Sequence, residues 1–169
     1  VVVPGNHELY RSFDTNELCE DWTLDIRENV KAYYNSVISL DGETDLIAST
    51  LWAHIPPSKA YFTEHGVADF RVIRDGDYRL SWNRFNDEHD KCVEFIRKSL
   101  EHSNARTKIV VTHHVPSFDL MVEEFKGSLI NGAFTSDLNA LAESLPIDYW
   151  IYGHSHRNID REIGGVKCV

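Results

Sequence analysis

Two short apolar runs, Ile109-Val110-Val111-Thr112 and Tyr149-Trp150-Ile151-Tyr152, each stop directly on histidines. The first lies in KIVVTHHVPS and runs into His113-His114; the second lies in IDYWIYGHSHRN and runs into Gly153-His154-Ser155-His156. Neither alternates apolar with polar residues, the pattern of a strand buried on both faces. Val1–Val3 has the same form and ends on Pro4-Gly5-Asn6-His7. Between these runs the spacing predicts helices. One covers Asn16 to Val30, with Leu18, Trp22, Ile26 and Val30 four apart. A second covers Asn86 to His102, with Cys92, Phe95, Ile96 and Leu100; a third covers Thr135 to Leu145, with Leu138, Leu141, Ala142 and Leu145. Asp41-Gly42 inside SVISLDGETDLIASTLW predicts a hairpin, and REIGGVKCV predicts another. Residues 56–79 read as an irregular excursion with a helical turn. The order is strand, helix, hairpin, helix, strand, helix, strand, hairpin, a mixed α/β domain spanning 1–169 with helices covering sheets.

Composition narrows the function classes. With 42% hydrophobic residues in 169, one sizeable core is within reach. No apolar run approaches the roughly 18 residues that a membrane span needs, so no membrane partner is expected. Cys19, Cys92 and Cys168 are odd in number and widely spaced, which disfavours a disulfide framework or a cysteine zinc site. A reducing cytoplasm is the expected compartment. The net charge of −10 argues against a nucleic-acid surface, which takes clustered Lys and Arg.

In open α/β sheets, ligands bind beyond the carboxyl ends of the strands. Here those ends carry Asn6-His7, His113-His114 and His154/His156. Each cluster alone also reads as a turn; all three after apolar runs point to one site. Imidazole nitrogen and amide oxygen suit borderline dications such as zinc, manganese or iron. Residues two apart beyond a strand, like His154 and His156, can be turned toward one centre. His7, next to Asn6, is the candidate to stay uncoordinated and serve as general acid. Arg157, Asn158 and His114 are the candidates for touching substrate. Tyr61, Phe62, Phe70, Arg71 and Arg74 form a candidate lid. His54, His65, His89 and His102 are given no role, and His89 and His102 are expected to be solvated.

GNHE, VVTHHVPS and YGHSHRN, in this order, resemble the calcineurin-like metallophosphoesterase superfamily. The resemblance spans nearly the whole chain and includes LIASTLWAHI. It implies a β-sandwich flanked by helices in four αββα layers. It also implies a metal-dependent phosphoric ester hydrolase, a phosphatase or phosphodiesterase, with a hydroxide held between two divalent ions (Mn, Fe or Zn). Asn6, His113 and His154 would hold the second metal and His156 the first, while His7 would protonate the leaving alkoxide. His113 is preferred to His114 because the family's ligand is the first His after the strand. The family pattern opens with Asp-x-His and Gly-Asp motifs that have no counterpart before Val1. The resemblance therefore implies a chain that starts partway through the fold and stops inside a strand. These 169 residues are expected to hold at most one metal ion and to hydrolyse poorly on their own.

Substrates implied are small-molecule or phosphoprotein phosphoesters. An uncovered Val1–Val3 edge would allow pairing with a second copy. The competing classes are a nuclease of the same superfamily, a metal-free scaffold on the same fold and an amidohydrolase with similar histidine clusters. Retention of all four site histidines disfavours the scaffold, and the Asn-His pair disfavours the amidohydrolase.

Overall fold

A computed structural model of the chain describes residues 1–10 and 12–169. Its strands and helices are, in order, β1 (Trp22–Arg27), β2 (Val30–Tyr34), β3 (Ser36–Ser39), β4 (Thr44–Ser49), α1 (Ala60–Gly66), α2 (Asp69–Val72), β5 (Arg74–Asp75), β6 (Tyr78–Arg79), α3 (Trp82–His102), β7 (Thr107–Thr112), α4 (Asn139–Ser144), β8 (Tyr149–Tyr152), β9 (Arg161–Ile163) and β10 (Val166–Cys168). Among the described residues, six strands form one sheet in the order β3-β4-β7-β8-β10-β9; β1–β2 and β5–β6 are separate two-stranded pairs. The four inner strands run parallel, and β3 and β9 close the edges antiparallel. The mixed α/β expectation holds, with helices against a central sheet.

Parallel neighbours need long crossovers. Helix α3 lies in the connection from β4 to β7, and α4 in that from β7 to β8. Ser81 caps α3, its Oγ accepting from the Arg84 amide at 3.2 Å. Phe85, Cys92, Ile96 and Leu100 of α3 are buried, while Arg97 on the outer side pairs with Glu94 and Glu101. Ile96 and Leu100 join Ile47, Val110 and Trp150 in one apolar cluster. Each such large side chain stabilises by about 1.5–3 kcal/mol when fully buried. The buried Trp150 indole stays satisfied, its Nε1 donating to Thr112 Oγ1 at 3.0 Å. A second cluster, with Leu9, Trp52, Phe70, Ile73 and Phe85, lies beneath the 56–79 excursion.

The helix expected over Asn16 to Val30 is a β-hairpin instead. Trp22 pairs with Tyr34 and Leu24 with Ala32 across β1 and β2, with a bulge between Asp25 and Arg27. Trp22, Leu24 and Ile26 also recur at spacing two, and the strand period prevails over the spacing of four. Val1–Val3 is not a buried strand. Val2 makes one parallel bridge to Ala32, and Val1 and Val2 stay 57% and 38% exposed. The third helix shortens to Asn139–Ser144, and the residues before it run instead alongside Val115 and Pro116, whose carbonyls accept from the amides of Ser136 and Leu138. Helix α3 begins at Trp82, four positions before the expected Asn86. His89 is buried, not solvated, with its Nδ1 3.1 Å from the Leu51 carbonyl oxygen.

Candidate functional site

Strands β7 and β8 are adjacent and parallel, so the residues that follow them emerge side by side. The Gly153 amide donates to the His113 carbonyl at 3.2 Å, extending the pairing one step past the strands. His154 and His156 both adopt left-handed backbone, at φ 62° and 51°. That conformation is uncommon for a residue with a side chain, and such strain gathers at functional sites. Asn6 opens a short 3-10 turn, Asn6–Tyr10, across from this edge.

Three polar atoms meet there. Nε2 of His113 lies 3.0 Å from Oδ1 of Asn6 and 3.0 Å from Nδ1 of His154. Gly5 makes room for this approach, since a Cβ there would fall 2.3–2.6 Å from the His113 ring. Only a residue without a side chain allows the ring to lie against that backbone. On the far side of the amide, Asn6 Nδ2 donates to Asp69 Oδ1 and Oδ2 at 3.0 and 3.2 Å. The Tyr10 hydroxyl donates to the same carboxylate at 2.6 Å. Burial, aided by that bond to Asp69, pushes the Tyr10 hydroxyl well above its ordinary range.

Both imidazoles are held neutral. His113 is lowered to about 3, first by burial and then by His154, His7 and His156. Burial likewise lowers His154 to about 4, with Asp69 opposing and His156 and His7 adding. Neutral rings offer one lone pair each. If His154 Nδ1 is the lone pair facing His113, its hydrogen sits on Nε2, which is buried and has no partner. An orphaned buried donor costs roughly 1–3 kcal/mol, so folding alone does not favour that tautomer. Two imidazole nitrogens and an amide oxygen are the donor types a borderline dication takes, and the arrangement fits one such ion. The described residues hold no group of three or more His, Cys, Asp or Glu placed to bind a metal; the third donor here is an amide oxygen, outside that set.

The residues expected from sequence separate into groups. Asn6 and His154 both contact His113, and His7, His156 and Arg157 line the same cleft of about 690 Å³. His7 is exposed, its ring 4.7 Å from that of Tyr10. Arg157 pairs with Glu124 at 3.4 Å. His114 is no substrate contact: it is 0% exposed, its Nδ1 is 3.2 Å from the Thr50 carbonyl oxygen and its ring stacks on Trp52. The His loop lines the cleft from His154 to Arg157, leaving Asn158 exposed to solvent. In the excursion, Val67, Ala68 and Asp69 reach the cleft, whereas Arg71 and Arg74 line a separate hollow beside Tyr10 and Asp14. Tyr61 and Phe62 are exposed, and Phe70 is core. The candidate lid is therefore corrected to residues 66–69.

Asp69 and Tyr10 were missed by sequence reasoning. Asp69 lies 63 positions from Asn6, and no local pattern marks it. Its one sequence signal is a charged residue between apolar Val67-Ala68 and Phe70.

A protein of Acanthamoeba polyphaga mimivirus described as "Uncharacterized protein L509" is 28% identical over 171 aligned residues. The alignment covers 91% of this chain, which spans about 60% of that curated relative's length. A solved crystal structure aligns with 82% of this chain and 44% of its own, at 15% identity and a TM-score of 0.46. The family model described as calcineurin-like phosphoesterase matches residues 1–158, which include every residue of the cluster, and the chain belongs to that family.

Proposed function

We propose that the protein hydrolyses phosphoric esters with the help of a divalent metal ion, and that Asn6, His113 and His154 hold that ion. The observation that carries this reading is the convergence of Asn6 Oδ1, His113 Nε2 and His154 Nδ1, with separations of 3.0 Å from the central nitrogen. A bound dication supplies positive charge that polarises the phosphoryl group and offsets the charge gathering on its oxygens. Asp69 fixes the Asn6 amide so that its oxygen, not its nitrogen, faces the cluster. The three donors are neutral, so they do not offset the repulsion of a second adjacent dication, and the 169 residues bind at most one ion. His156 stands on the cleft wall as the ligand expected for a second position. His7, exposed at the same wall, donates a proton to the departing alkoxide oxygen. Arg157 orients the phosphoryl group from the loop that carries the two histidines.

Titration with Mn²⁺, Zn²⁺ and Fe²⁺ followed by calorimetry, paired with a panel of phosphomonoesters and phosphodiesters, tests this. One ion bound per chain, lost in His113→Ala, together with slow metal-dependent release of phosphate or alcohol, is the expected result. Ion binding unchanged in both His113→Ala and His154→Ala would remove the cluster from the proposal.

A further inference from the structure

The cleft that contains the three converging atoms has a second lining of opposite character. Met121, Val122, Phe125, Ile130 and Phe134 line it, with the fully buried Leu120 behind them, and all come from one segment. Phe125 remains 52% exposed although it belongs to this contiguous set. Single apolar side chains on a surface need no explanation, but a contiguous apolar wall in a cleft marks a binding surface.

The wall does not collapse, because its backbone is tied at several points. Asn131 Nδ2 donates to the Phe125 carbonyl at 2.8 Å. The Val115 amide donates to the Phe134 carbonyl at 3.2 Å, and the Ser136 amide to the Val115 carbonyl at 3.0 Å. The wall also reaches the polar cluster directly, since the Phe134 ring stacks on the His154 ring with centroids 5.1 Å apart. The apolar wall therefore begins at a residue in direct contact with the cluster.

The geometry points to an apolar subsite: the cleft takes a phosphoester whose alcohol part is an aromatic or branched hydrocarbon group, seated on Val122, Phe125 and Ile130. This rests on the phosphoesterase reading above and names the substrate class for that site. The cavity of about 690 Å³ accommodates an ester of that size, within the roughly 300–1,000 Å³ of small-molecule sites. Charge agrees. Arg157 is the one Lys or Arg among the described residues lining the cleft. With Arg157 already paired to Glu124, and Glu8 and Asp69 also on the lining, the cleft disfavours a ligand with several phosphoryl groups more than one with a single phosphoryl group and a hydrocarbon tail.

The test compares wild-type protein with Phe125→Ala and Val122→Ala, neither of which touches the cluster, on 1-naphthyl phosphate and glycerol 2-phosphate. Comparing proteins on one substrate at a time cancels the different intrinsic reactivity of the two esters. With Mn²⁺ present, kcat/KM for the naphthyl ester should fall about tenfold in Phe125→Ala while that for the glycerol ester stays within about twofold. A second readout needs no turnover: naphthyl fluorescence titrated against the metal-free protein should report binding in the wild type that is weakened in both variants. If the wild type hydrolyses neither ester but still shows this binding difference, the apolar subsite stands and the phosphoesterase reading fails. No naphthyl binding by the wild type, or binding and kcat/KM unchanged in both variants, overturns the subsite; a wall that docks a protein segment instead would give the first of these results.

Discussion

The Asn6 amide is gripped from behind by Asp69, whose two carboxylate oxygens lie 3.0 and 3.2 Å from Asn6 Nδ2. An amide can present either its oxygen or its nitrogen to a metal site, and only the oxygen binds. Outer partners that set such an orientation typically matter by about 10- to 100-fold in metal affinity. Asp69→Asn retains size but loses the charge and one acceptor. Metal affinity measured by calorimetry should fall by about tenfold or more, with the circular dichroism spectrum unchanged. Equal affinity in the variant would show that the Asn6 amide needs no such grip.

Gly5 is the tightest point of the cluster. A methyl group there meets three atoms of the His113 ring at 2.3–2.6 Å. Since the ring is hemmed in by Asn6 and His154, it has to move. Gly5→Ala should cost about 1–3 kcal/mol of stability in urea unfolding and weaken metal binding as well. Retention of both would mean that the ring has room to yield.

Protonation gives a separate test on the metal-free protein. His113 and His154 titrate at about 3 and about 4 in the folded chain, below their ordinary value of 6.5. The unfolded chain therefore binds more protons on acidification. The contribution of these groups to stability is fully present above pH 6.5 and is lost as pH falls toward the folded values. Urea midpoints followed downward from pH 7 should decline less steeply in His113→Asn than in the wild type. Parallel slopes would count against a buried neutral His113.

His7 is separable from ion binding. It lies on the cleft wall and is exposed, and its assigned task is to deliver a proton. His7→Asn should lower kcat on an ester with a poor leaving group by roughly 10²–10⁴-fold while leaving metal affinity as it was. The loss should shrink with a leaving group that departs without a proton. An equal loss on both esters would take His7 out of the proton transfer.

Much of the site was legible because a strand end is a local feature. His113 and His154 are 41 positions apart, yet each follows an apolar run, and adjacent parallel strands bring such ends together. The set of residues was clearer than their aim. His113-His114 reads as a pair, but alternation along the strand sends His114 inward against Trp52. The first predicted helix failed because Trp22, Ile26 and Val30 satisfy a spacing of four while Trp22, Leu24 and Ile26 satisfy a spacing of two. Pairing with β2 decides between them, and pairing is not a local property. Asp69 was out of reach for the same reason: its importance is a contact across 63 residues.

The bond from the Gly153 amide to the His113 carbonyl continues the β7–β8 ladder past the strand ends. The two imidazoles follow directly on that ladder, just beyond the paired strands. Asn6 has no such mount; its turn is anchored through side chains to Asp69. Under the proposed metal reading, exchange of one ion for another of different radius is therefore expected to shift Asn6 relative to the two histidines more than the histidines relative to each other.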